Sequence, residues 1–173
     1  MGYKILWLNL TSQAWLTPAD VSQSIWWHYV AVIVPQNLNS SFASKGLLYI
    51  TGGNNGPTPP KITSEDLIVA AVLAQSTQTV ATVLFQIPNQ PIHFWAQGPN
   101  AGGKTEDALI ALSWRLFLDN PNRTEFIPYV LPTAQRSGSP RQDPFLLLLR
   151  RLTRSSAFLL FLFFGSATAV TSQ

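Results

Sequence analysis

"GLLYITGGNN", residues 46–55, is the stretch on which the reading of this chain turns. Leu47 to Ile50 is an unbroken apolar run that stops on two glycines. A strand with one face in water alternates apolar and polar residues. One that is apolar throughout is covered on both faces, as in a parallel sheet. The glycines that follow allow a turn with positive φ and a close approach of backbone to other groups. The stretch therefore reads as a buried strand of an α/β protein, and its neighbours should include helices.

They do. "TSEDLIVAAVLAQST" (63–77) begins a helix, with Ser64 as N-cap and Glu65 and Asp66 in the first turn, where the helix dipole favours acids. "QTVATVLFQIP" (78–88) is a strand closed by Pro88. A long aromatic-bearing loop, 89–104, leads to Thr105 as the cap of a second helix, "EDALIALSWRLFLDN" (106–120), with Pro121 beyond its end. Upstream, "KILWLNLTSQAW" (4–15) and "SIWWHYVAVIVP" (24–35) read as strands, and "TEFIPYVLP" (124–132) as a last strand-like piece. The order is β-β-β-α-β-α, an α/β sheet that looks unfinished, because such a sheet needs cover on both faces and more parallel strands.

Composition narrows the function classes. Charged residues make up only 11% of the 173, against about 25% in ordinary globular domains, so much of the surface expects cover. Residues 1–132 carry six Lys/Arg against seven Asp/Glu, so no basic face argues for nucleic acid. The basic excess sits in residues 133–173, with five Arg and one Asp. The absence of cysteine excludes disulfides and thiolate chemistry. Two separated histidines, His28 and His93, read as structural or surface residues, and no metal or cofactor is expected.

Gly98, Gly103, Lys104 and Thr105 spell the phosphate-loop pattern G-x-x-x-x-G-K-[ST]. A working loop of that kind sits directly at the end of a strand, whereas here the strand closes ten residues earlier, at Pro88. The string therefore reads as an accident of a Gly/Asn/Pro loop, with nucleotide binding as the alternative. Glu65–Asp66 and Glu106–Asp107 read as helix-opening acids rather than catalytic pairs. Trp26, Trp27, Trp95 and Trp114 are assigned to core packing in preference to a ligand platform. Gly52, Gly53 and Asn54 are the more interesting candidate. In α/β-hydrolases the loop after the third strand supplies backbone N–H groups to the oxyanion hole. No G-x-S-x-G elbow and no Ser-Asp-His set in chain order can be assembled, so no catalytic residue is named.

Residues 133–173 differ abruptly in character, being rich in Arg, Ser and Leu. Their apolar run, 157–170, is shorter than the roughly 20 residues that span a bilayer. Non-native sequence, a weak membrane anchor and a core helix compete as explanations. Asn9, Asn39 and Asn122 open N-x-[ST] triplets, which matter only in a secreted chain, and the first residues lack a signal peptide's apolar stretch.

Six blocks, "LTSQAWLTP", "IWWHYVAVIVP", "LLYITGGNN", "VLFQIPNQPI", "TEDALIALSW" and "VLP", resemble successive segments of the PhoPQ-activated pathogenicity-related proteins, the family of the secreted autocrine proliferation repressor. The resemblance covers about residues 3–132. It implies the N-terminal half of an α/β-hydrolase-like domain, residues 1–132, followed by a divergent tail, 133–173. It further implies the oxyanion-loop position for Gly52–Asn54, secretion as a glycoprotein, and a cell-surface receptor as partner. The family's G-x-S-K-R-G-W elbow has no counterpart here, so this chain is expected to be inactive as an enzyme.

Overall fold

A computed structural model describes residues 2–42 and 45–126, together with the backbone of residues 159 and 160. Four strands and two helices carry the fold: β1 (Tyr3–Ala14), β2 (Ile25–Pro35), β3 (Gly46–Ile50), α1 (Glu65–Thr77), β4 (Val80–Leu84) and α2 (Glu106–Asp119). The order is the expected β-β-β-α-β-α, and the class is α/β. The strands form one mixed sheet in the order β1-β2-β4-β3, and Leu159–Leu160 pairs parallel to β3 at its far side. β2 is antiparallel to β1 and β4, while β3 and β4 are parallel. The carboxyl ends of β1, β3 and β4 therefore share one edge of the sheet.

α1 lies on one face because its sheet-facing residues are small. Ala70, Ala71 and Ala74, with Leu67, pack on Ala31 and Ile33 of β2, on Ala81 and Val83 of β4, and on Phe85. Leu47 and Tyr49 of β3 pack against the same cluster, while Leu48 points to the other face with Val30, Val32 and Leu84. Continuous apolarity in β3 thus reflects cover on both sides. On its outward side α1 is also apolar, with Ile68 and Val72 each more than half exposed.

A third cluster sits beyond the strand ends. Trp15, Val21, Trp26, Ile92, Phe94 and Leu109 bury one another, and Leu109 brings α2 to them. Trp15 meets Trp26 edge-to-face at 5.4 Å and Phe94 at 5.9 Å. Arg123 fastens the following turn by donating to Asp20 Oδ1 at 3.0 Å, and Trp15 Nε1 donates to the Glu125 carbonyl at 2.9 Å. The Arg123 bond, with that from Thr17, holds the Asp20 carboxyl below the usual carboxylate range.

Several expectations need correction. Residues 124–126 form a 3-10 turn, not a strand, and the rest of that piece lies outside the described residues. Ser64 and Thr105 occupy the N-cap positions, but neither side chain makes a capping bond. Trp26 is buried and Trp27 half-buried, yet Trp95 and Trp114 are about half exposed and do not serve the core. The run 157–170 lies outside the described residues apart from the Leu159–Leu160 pairing.

Candidate functional site

Ligands of sheets with parallel strands gather outside the carboxyl ends of those strands. Two loops meet there: 51–64 after β3, and 85–105 after β4. The second begins "FQIPNQP", which reads as a plain strand end and turn. In the structure Gln86, Asn89 and Gln90 are all buried, and both prolyl bonds, Ile87–Pro88 and Gln90–Pro91, are cis.

These amides are buried because they continue the sheet. β4 pairs with β2 only from Val30 to Ile33, which leaves the side of β2 that faces away from β1 without a neighbouring strand below Tyr29. Gln86 Oε1 accepts from Tyr29 N at 2.7 Å. Asn89 engages Trp27 at both ends, its Oδ1 accepting from the N–H at 3.0 Å and its Nδ2 donating to the carbonyl at 2.8 Å. Side-chain amides thus stand in for a strand, satisfying groups that are costly to leave unpaired. Gln90 Oε1 accepts from Glu106 N at 2.7 Å and so caps α2 from a distance, doing what Thr105 does not.

The network reaches the glycine loop. Gln23 joins Asn89 to Asn55, and Gln86 Nε2 also donates to Asn55. Gln86 holds a left-handed φ of 64°, a conformation that costs a non-glycine residue energy and persists where surrounding bonds over-determine it. The loop is fixed on both flanks, by Gln86 N donating to the Gly52 carbonyl at 2.9 Å and Asn55 N donating to the Gln90 carbonyl at 2.6 Å. Between these clamps Gly53 has φ of 113°, open to glycine and strained for other residues. The N–H groups of Gly52, Gly53 and Asn54 donate to no protein atom among the described residues. Three successive unspent donors on a clamped loop are chemically suited to a carbonyl or anionic oxygen.

The GGKT string is built differently. Lys104 N and O both bond to Ile92, Gly98 N donates to Trp95 O, Ala101 N to Gly98 O, and Glu106 N to Gln90. Those four donors are engaged within the protein, while the Gly102 and Gly103 N–H groups donate to no protein atom among the described residues. Gly103 has a packing reason to be glycine, since a Cβ there would come within 2.8 Å of Pro91 Cβ. Gly103→Ala is expected to cost about 1–3 kcal/mol in urea unfolding, as overpacking does. Gly102→Ala, where a Cβ meets nothing within 4 Å, should be close to neutral.

His28, which reads from sequence as a structural or surface residue, is buried within this network. Its Nδ1 lies 3.0 Å from the Phe85 carbonyl and its Nε2 2.7 Å from Ser12 Oγ. A carbonyl can only accept, so Nδ1 carries the proton and Nε2 accepts from the serine hydroxyl. Burial pushes the imidazole down to about 4, against the bonds to Phe85 and Gln86 that favour its charged form. Nothing in the spacing of Ser12 and His28 signals this pair, because a bulge between Thr11 and Gln13 sets their register. His93 is exposed and stacks on Trp95 at 6.4 Å.

Asn9 and Asn122 are exposed, and Asn39 is half-buried with Oδ1 accepting from Ser41 N. No cluster of potential metal ligands occurs among the described residues, and no helix among them is long and apolar enough to cross a membrane. At the opposite edge of the sheet a cleft of about 180 Å³ is lined by Gly2, Pro35, Gln36, Asn37, Gln75 and Gln78, below the 300–1,000 Å³ usual for ligand pockets.

Comparison with known proteins gives a consistent result. The model of a family described as PhoPQ-activated pathogenicity-related protein matches residues 1–138. The autocrine proliferation repressor protein A of Dictyostelium discoideum is 33% identical over 113 residues, covering 65% of this chain and 21% of that protein. The chain thus spans about a fifth of the length of this curated relative. No solved structure matches.

Proposed function

The chain belongs to the PhoPQ-activated pathogenicity-related family, and from that premise we propose that residues 1–132 form the N-terminal part of an α/β-hydrolase-like domain in which Gly52–Asn54 is the oxyanion-type loop. The observation that carries this reading is the row of three backbone donors, unspent among the described residues and clamped at the carboxyl end of a parallel strand. The strand order supports it: a sheet running β1-β2-β4-β3 with β2 antiparallel is how an α/β-hydrolase sheet begins. In such a domain the nucleophile follows a further parallel strand beside β3. No G-x-S-x-G elbow occurs in this sequence, so at this loop the chain supplies the donors and an elbow elsewhere in the whole protein supplies the attacking group.

The whole protein acts outside the cell, as a secreted hydrolase-like or growth-regulating factor that meets a cell-surface receptor. The name of the Dictyostelium relative, an autocrine repressor of proliferation, supports that placement. Exposed Asn9 and Asn122 are compatible with glycosylation in the secretory route. The apolar outer side of α1 fits a segment that packs against further protein.

A crystal structure of the Dictyostelium repressor tests the reading. It should show a strand parallel to the counterpart of β3, with a nucleophilic side chain facing the counterpart of Gly52–Asn54. A sheet that ends at β3, or loop donors bonded to their own backbone, would overturn it.

A further inference from the structure

Ser12 lies at the same edge of the sheet as the glycine loop but three strands away, about 14 Å at ordinary strand spacing, so the two are separate sites. β1 is the outermost strand, and Ser12 occupies its bulge, where Thr11 pairs with Trp27 and Gln13 with Trp26. Bulges re-aim side chains, and they are over-represented at sheet edges and beside active sites. Here the bulge turns Ser12 Oγ to within 2.7 Å of His28 Nε2. The alternative acceptor for the hydroxyl, the Trp26 carbonyl, is farther at 3.4 Å.

The imidazole is fixed from behind. Nδ1–H donates to the Phe85 carbonyl at 3.0 Å, and Asn89, itself tied to both ends of Trp27, stands against the ring at 3.4 Å. A hydroxyl, a base within hydrogen-bond reach, and a third group that sets the base's tautomer are the parts of an activated nucleophile. Ser12 is half-buried, not sealed, and it sits on the outer strand.

We propose that Ser12 is a nucleophile with His28 as its general base, an acceptor of acyl groups from activated carboxylic esters. In the acylation step Ser12 Oγ bonds to the acyl carbon and the ester C–O bond breaks. The serine proton passes to His28 Nε2 and from there to the leaving alkoxide. The pair lies among the described residues and apart from the Gly52–Asn54 donors.

The test treats the full chain with an alkyl fluorophosphonate, which reports the same attack irreversibly: an Oγ–P bond forms, P–F breaks, and fluoride leaves. Peptide mapping by mass spectrometry follows labelling at Ser12 and at Ser76, an exposed serine of α1 with no histidine partner. Ser12 should label at least tenfold faster than Ser76 in the folded chain, and the two rates should converge in urea. His28→Gln should bring Ser12 down to the Ser76 rate. Equal rates, or no label on Ser12, in the folded unsubstituted chain would overturn the proposal whether or not the variant folds. Such an outcome would leave the oxyanion reading untouched, since that reading uses different residues.

Discussion

Asn89→Ala is expected to lower the unfolding free energy by about 3 kcal/mol or more, measured by urea titration at pH 7.5. Asn89 is fully buried, and its side chain serves four partners: the Trp27 N–H, the Trp27 carbonyl, Gln23 Nε2 and the Gln86 carbonyl. Truncation leaves the Trp27 N–H and carbonyl without a partner on the side away from β1, because β4 has already ended at Leu84. Each orphaned buried group costs about 1–3 kcal/mol, and the cavity adds to that. Asn89→Asp is an informative companion. It keeps the acceptor for Trp27 N and Gln23 but loses the donor, and it places a charge in a buried site. It should therefore also be strongly destabilising. A loss under 1 kcal/mol for either variant would mean that water or backbone movement replaces these bonds, and that the loop does not depend on them.

The same residue shows where sequence reading stops. β-branched and aromatic runs bounded by Gly and Pro reveal β2, β3 and β4, and acids after Ser64 and Thr105 reveal both helices. Those signals are local, since each depends on the periodicity or punctuation of its own segment. "QIPNQP" has the composition of a turn, and its function depends on β2, some sixty residues away in sequence. No local pattern distinguishes an asparagine that completes a sheet from one that decorates a loop. The capping of α2 is hidden for the same reason, because Gln90, not Thr105, supplies the acceptor.

Candidate site residues follow the same division. Gly52–Asn54 could be marked from sequence because a strand ending in paired glycines is a local signal, but only the clamps from Gln86 and Gln90 show why the loop holds its shape. Gly98–Thr105 is also a local pattern. Within it Lys104 N is tied to Ile92 by an isolated bridge and Gly98 N to Trp95, bonds that the local pattern does not reveal. Trp95 and Trp114 read from sequence as core residues in preference to a ligand platform, yet the apolar cluster at the strand ends is filled by Trp15, Trp26 and Phe94. Size alone does not say which tryptophan a small core can accommodate.

Protonation of His28 supplies the other large effect. The ordinary histidine value is near 6.5, and burial brings His28 down to about 4, so the unfolded chain binds the proton more readily than the folded one. Stability from this residue is therefore complete above about pH 6.5, declines as pH falls toward 4, and changes no further below it. The full gap corresponds to about 3 kcal/mol, of which about 2.5 kcal/mol is lost between pH 7.5 and pH 4.5. Urea titrations at those two values should show the loss in the unsubstituted chain and a much smaller one in His28→Gln. The physical cause is specific to the geometry. A charged imidazole would need Nε2 to donate where Ser12 now donates to it, and its bonding neighbours, Ser12, the Phe85 carbonyl and Asn89, include no carboxylate. The Asp20–Arg123 pair contributes in the same direction but lower, since a carboxyl held below its usual range loses its stabilising effect only as pH falls past about 4. A stability curve flat from pH 7.5 to 4.5 would mean that His28 reaches water in the folded chain. The tight Ser12–His28–Phe85 arrangement would then not be the resting state of the protein.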